Sequence, residues 1–278
     1  TLLAIDFRRG SGRGTLSAMS QPVWVVDPDE PRAPPQAVWD GMSAAERAKI
    51  VASLPAGMPL ELHPPEGDPH RKPKERARDA LDEFFRSVGR RVYVSSELVT
   101  YYPGEPRFCP DILAVLDVPS HDRTSWIVSH EGKGLDLVIE IATGGGDSRK
   151  DFDRNVQLYA RLGIPEYFIF DRPGQRVVGY RLRGQGSSYE PLVPQAGRLL
   201  SQVLGLELTA ESGMLRFYHG TAPLLFMDEL VGKLNHMIAD LVEARDAAAQ
   251  RAEREAQRAS ALQREVEELR ATLERLKR

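Results

Sequence analysis

The sequence predicts an α/β fold: a helix, a mixed central sheet and a second helix, preceded by a Pro-rich N-terminal arm and followed by a C-terminal coiled-coil helix. Three observations predict it. Residues 110–142 hold two short apolar runs, PDILAVL and LDLVIEIA, of the length and branched-residue content that suit buried strands. A helical pattern over 148–162 and a third apolar run, EYFIFD, follow at once. That order needs a crossover between two parallel strands and so a layered α/β core. From 231 to 276, apolar residues recur in a seven-residue frame.

Taken in order, residues 1–36 are rich in Gly, Arg, Ser and Pro, lack periodicity and are expected to form a disordered arm. Residues 37–72 are expected to hold a short helix, with Ser43 as N-cap and Glu46 closing a capping box, and then a Pro-rich linker. The folded domain is expected to span 73–220. Its first helix runs over 73–88, with Ala77, Leu81, Phe84 and Phe85 inward and Gly89 ending it. RVYVSSELVTYY reads as a strand or a bent pair of strands, 112–118 as the next strand, and 119–134 as a polar loop anchored by Trp126. Residues 135–142 form a strand buried on both faces. Gly144-Gly145-Gly146 makes a flexible turn into the helix at 148–162, which Gly163 closes. Strands at 166–170 and 176–183 follow, and a hairpin turning at 211–213 completes the domain.

Between 228 and 278 the a and d positions are apolar except at Arg245 and Glu255, which predicts a homodimeric coiled coil. In that frame Glu265 at g and Arg270 at the following e meet across a parallel pair.

Composition limits the partners. A net charge of −3 gives no overall basic footprint, so a nucleic-acid surface must be local. The single cysteine, Cys109, excludes an internal disulfide framework, fits a reducing cytoplasm, and reads as a small half-buried residue at a strand entry. No run approaches the roughly 18 apolar residues of a membrane span, and the N-terminal stretch has no signal-peptide pattern, so a cytoplasmic location is expected. The six histidines, His70 among them, show no metal-ligand spacing and receive no role.

The chemistry concentrates in 110–171. Asp111 opens one apolar run and Glu140 sits inside the next. A buried carboxylate is costly unless paired or bound to a metal. On adjacent strands the two side chains reach one hard divalent cation, with the Ile141 carbonyl as a natural third ligand. The same residues also read as strand-end groups, or Glu140 as one half of an ion pair. Arg149, Lys150 and Arg154 give the following helix a positive entrance suited to phosphates, or simply a solvated basic face.

PDILAVL, then DLVIEIAT, then a polar turn and a helix leading into YARLGIPEYFIFD, resembles the Uma2 family, which belongs to the PD-(D/E)XK nuclease superfamily. The similarity covers roughly 73–215 and is specific over 110–171. It implies a restriction-endonuclease-like core and a DNA-cleaving site in which Asp111 and Glu140 hold Mg²⁺ or Mn²⁺. A further carboxylate from Asp79 or Glu83 is part of the same implication. The superfamily lysine, two residues after the second acid, is replaced here by Ala142. The position to which Uma2-like proteins move that lysine is Asn155, between Asp151 and Tyr159. Lys150 and Arg154 are the candidate replacements. Asn155 and Tyr159 also resemble the Q-x-x-x-Y helix motif of other superfamily members. The reading is therefore a metal-dependent DNA endonuclease. The alternative is a catalytically impaired relative that binds DNA or recruits a partner through its coiled coil.

Overall fold

The computed structural model describes residues 24–61, 65–144, 148–184 and 188–277, with the side chains of 148–152 excepted. The elements in chain order are α1 (Gln36–Gly41), α2 (Ala44–Ser53), α3 (Asp68–Ser87), β1 (Val92–Ser96), β2 (Thr100–Tyr101), β3 (Ile112–Leu116), β4 (Trp126–Ile127), α4 (Val128–Glu131), β5 (Leu137–Ala142), α5 (Ser148–Arg161), β6 (Glu166–Asp171), β7 (Arg176–Leu182), β8 (Tyr189–Pro191), β9 (Leu199–Ser201), β10 (Leu206–Glu211), β11 (Met214–His219), β12 (Ala222–Pro223) and α6 (Met227–Leu276).

The central sheet runs β1-β3-β5-β6-β7-β8. Only β5 and β6 pair in parallel, as a strand–α5–strand crossover requires; the other neighbours are antiparallel. Alternation along the strands splits the core into two layers. Ile112, Ala114, Leu137, Ile139, Phe168 and Phe170 point to one face, where Ala77, Leu81 and Phe85 of α3 and the second sheet, β12-β11-β10-β9, cover them. Leu113, Val115, Val138, Tyr167 and Ile169 point to the other, against Tyr159 and Ile164 on the α5 side. The hairpin turn expected at 211–213 joins β10 to β11.

Three departures from the expected pattern matter. The first helix begins at Asp68, not Pro73; Pro69 occupies its first turn and Pro73 lies inside it. A proline there forfeits one helical hydrogen bond, and the packing of the amphipathic face outweighs that loss. Residues 32 and 33, within the stretch assigned to the arm, form bridges to Pro106 and Pro103, and Ala33 is fully buried beside Trp39 and Tyr101. The stretch 119–134 is not all loop: it holds β4 and α4, and Trp126 of β4 is the expected anchor, buried, stacked on Tyr93 and donating its indole N–H to the Lys133 carbonyl. The capping box of Ser43 and Glu46 forms as expected and starts α2.

The helix α6 leaves the domain at a clamped root. Phe226 is buried, with the Arg76 and Arg216 guanidinium groups 5.3 and 3.9 Å from its ring centre. Arg216 bonds both oxygens of Glu229, at 2.7 and 2.8 Å, and Arg76 pairs with Asp228. From 231 to 277 every residue is exposed. Among the described residues no helix is long and apolar enough to cross a membrane.

Candidate active site

The register of β3 against β5 sets Ile112 opposite Ile139; one step further along it sets Asp111 opposite Glu140. Both side chains belong to the parity that faces α5, and both are buried. Their contacts interlock. The Asp111 amide donates to Glu140 Oε2 (3.3 Å), and the Ile141 amide donates to Asp111 Oδ2 (2.7 Å). Tyr159 of α5 donates its hydroxyl to Glu140 Oε1 at 2.6 Å. Burial and then the nearby Asp111 charge push the Glu140 carboxyl well above the ordinary range. Burial and the Glu140 carboxylate likewise push the Tyr159 hydroxyl upward, which keeps it a donor.

The first turn of α3 and the residue before its N-cap bring further groups to the same point. His70 Nε2 lies 3.0 Å from Asp111 Oδ2, and its Nδ1 lies 2.6 Å from Glu66 Oε1. Burial works against the charged imidazole, but the Asp111 and Glu66 carboxylates outweigh it and raise its pKa to about 9. Lys74, one turn further on, contacts Glu66 and Glu97 and is itself buried. Burial would raise the Glu66 carboxyl; the Lys74 and His70 contacts reverse this and lower it. Glu66, which precedes the Gly67 N-cap, and His70 and Lys74 of α3 thus repeat at four-residue spacing and meet at the start of the helix.

These groups line a cleft of about 1090 Å³ whose walls include Glu66, His70, Asp111, Glu140, Arg154 and Asn155. The donor set fits a divalent cation. Glu66, His70 and Asp111 each offer a ligand atom, and those atoms lie within 4.8 Å of one another. Carboxylates with one imidazole suit Mn²⁺ as well as Mg²⁺.

His70 and Glu66 were not expected to take part. The helix that carries His70 starts five residues before its expected opening, and no histidine was given a role. The α3-side carboxylate that lies in the cleft with Asp111 is Glu66, while Asp79 and Glu83 pair with Arg78 and Arg86. Ile141 is engaged through its amide. Asn155 reaches the cleft with its side chain beside the Tyr167 hydroxyl. Arg154 lines the cleft as well, whereas the Arg149 and Lys150 side chains and the turn at 145–147 lie outside the described residues. Cys109 also borders the cleft, where burial pushes its thiol up to about 12, so it remains protonated and unreactive at neutral pH.

A family model matches residues 46–211, a span from α2 to β10 that contains every site residue named above; the family is Uma2, described as "Putative restriction endonuclease". The chain belongs to the Uma2 family. Among solved structures, it is similar to "a putative nuclease belonging to DUF820 from Anabaena variabilis ATCC 29413", at 18% identity, over 52% of this chain and 79% of that one, with a TM-score of 0.41. No curated protein matches it. The Uma2 match begins inside α2 and ends before α6, so the long C-terminal helix is an addition to the Uma2 part of the chain.

Proposed function

We propose that this Uma2 protein is a metal-dependent DNA endonuclease that hydrolyses phosphodiester bonds. The observation that carries the reading is the cross-strand placement of Asp111 and Glu140 in one cleft, with Glu66 and His70 brought to the same point by α3. Asp111 and Glu140 would hold Mg²⁺ or Mn²⁺, together with Glu66, His70 and the Ile141 carbonyl. Such an ion polarises a phosphodiester and eases deprotonation of water. Tyr159 orients Glu140 through its hydrogen bond, and the Ile141 amide orients Asp111. Arg154, with Arg149 and Lys150 at the start of α5, would meet DNA phosphates. The test is plasmid nicking by the purified protein with Mg²⁺ or Mn²⁺. Asp111→Ala and Glu140→Ala should each lower the rate by about 10²-fold or more. Intact plasmid with every divalent metal would sink the enzyme reading.

A second reading rests on Asn155, which carries no charge where the family resemblance implies a lysine. A catalytically impaired protein of this fold would bind DNA without cutting it, or recruit a partner through α6. Asn155→Lys creating cleavage in a silent parent favours this reading; a parent that already cleaves excludes it.

The exposed a and d positions of α6 support a homodimer through residues 228–278. Sedimentation at micromolar concentration should give a dimer for the full chain and a monomer once this segment is removed.

A further inference from the structure

We propose that α6 pairs with a second copy of this chain in antiparallel orientation, centred on residue 250, so that the two nuclease domains stand at opposite ends of a rod. The proposal deepens the homodimer reading above and rests on it. In that frame Val231, Ile238, Arg245 and Ala252 are a positions, and Leu234, Leu241, Ala248 and Glu255 are d positions. The apolar members are about half exposed or more, for example Leu234 at 48% and Leu241 at 67%. An uncovered apolar seam of this length marks an interaction surface. The two charged interruptions identify the partner and its direction.

In a parallel pair, a faces a and d faces d. Arg245 would then meet the partner's Arg245, and Glu255 the partner's Glu255, which places two like-charge contacts in the seam. In an antiparallel pair, a faces d. A single register then brings Arg245 opposite the partner's Glu255, and symmetry repeats the ion pair. A slip of one heptad either way sets Arg245 against an alanine or a leucine. The same register places Ala248 opposite the partner's Ala252 on both sides of the centre. It places Leu234 opposite the partner's Val266, and every other a or d position from 227 to 273 meets an apolar one. The alanines that make a weak centre for a parallel coil become the small residues that let two antiparallel backbones approach, next to the two ion pairs. Buried polar pairs of this kind fix register and direction in coiled coils.

Among the described residues of one chain, the hydrogen-bond and ion-pair partner of the Arg245 side chain is its neighbour Asp246, at 2.8 Å, and both are well exposed. An exposed pair of that kind contributes little, so the partner's Glu255 can replace it. Glu265 and Arg270, the one pair that points toward a parallel coil, are both exposed, and a pair of that kind contributes as little. In the antiparallel register the roots of the two helices lie roughly 70 Å apart at 1.5 Å per residue. The two clefts of a dimer would then work on separate DNA segments, not on the two strands of one site.

The test uses the full chain with Cys109→Ser, so that introduced thiols are the only ones. Leu234→Cys alone and Val266→Cys alone should resist oxidative cross-linking, because like positions stand roughly 48 Å apart. A mixture of the two variants should cross-link. Cross-linking by either single variant would mean a parallel coil and overturn the orientation while leaving the dimer standing. A sedimenting dimer that cross-links in neither arm would overturn the register. A monomer would end both this proposal and the homodimer reading. A second arm is independent of disulfide geometry. Arg245→Glu and Glu255→Arg should each weaken the dimer at least tenfold, and the double swap should restore it to within about threefold. A double variant as weak as the singles would also overturn the proposal.

Discussion

Two regions of the central sheet each bury a carboxylate, and they treat it in opposite ways. Glu166, at the start of β6, is 1% exposed. It accepts from Arg181 at 2.8 Å, from the Ser201 hydroxyl, and from the amides of Gln202 (2.9 Å) and Val203 (3.3 Å). Every lone pair is answered, so this acid ties the main sheet to the β9 segment. Glu140, on the neighbouring strand, has one tyrosine hydroxyl, one long amide contact and a like charge opposite it. It opens on a cleft, where Glu166 is closed in. Burial alone therefore does not mark a functional acid. What sets Glu140 apart is burial beside a like charge and an open cleft.

Several substitutions sharpen or break that contrast. The largest effect is expected at Glu166→Ala, which strands the Arg181 guanidinium and two amides. It should cost about 3–5 kcal/mol in urea unfolding, and a cost under about 1 kcal/mol would remove the distinction. Glu140→Gln should have the opposite sign. It keeps the shape and removes the charge that burial and Asp111 disfavour. Without divalent metal it should raise stability by about 1 kcal/mol and, under the proposed nuclease function, abolish cleavage, a stability–activity trade-off. A loss of stability as large as that of Glu166→Ala would place both acids in one class. The smallest effect is expected at the root of α6. The Arg216 hydrogen bonds, working against partial burial, hold the Glu229 carboxyl at about 2, below its ordinary 4.5. A depressed carboxylate stabilises the fold above its unfolded value, and that contribution fades as pH falls from 4.5 towards 2. Glu229→Gln should therefore lower stability by about 0.5–1 kcal/mol at pH 6, and the difference should vanish near pH 2. A difference that persists at pH 2 would show that charge is not what fastens the helix.

The acids Asp111 and Glu140 were legible in the sequence because a charged residue in a short apolar run is conspicuous, and the alternation of each strand fixes which face it takes. The other half of the site was not. Pro73 looked like a helix opening, which left His70 in a linker; the proline that opens α3 is Pro69, and the cost of Pro73 inside the helix is outweighed only by tertiary packing. The four-residue spacing of Glu66, His70 and Lys74 was a usable signal, but it has meaning only once that stretch is known to approach Asp111. That approach is a long-range contact that periodicity does not report. Trp126 was legible as an anchor, but its partner was not, for the same reason: a tryptophan in a polar stretch gives no hint that Tyr93, from a distant strand, will stack on it.

The clamp around Phe226 sets the angular precision of everything beyond it. A helix of 50 residues is a lever about 75 Å long. About 5° of play at its base would sweep the far end through roughly 7 Å, more than a full helical turn. Two guanidinium groups over one ring, with a bidentate carboxylate beside them, restrain that pivot in two directions. The helix carrying Arg76 is also the one that presents His70 to the cleft, so aim and chemistry share one beam.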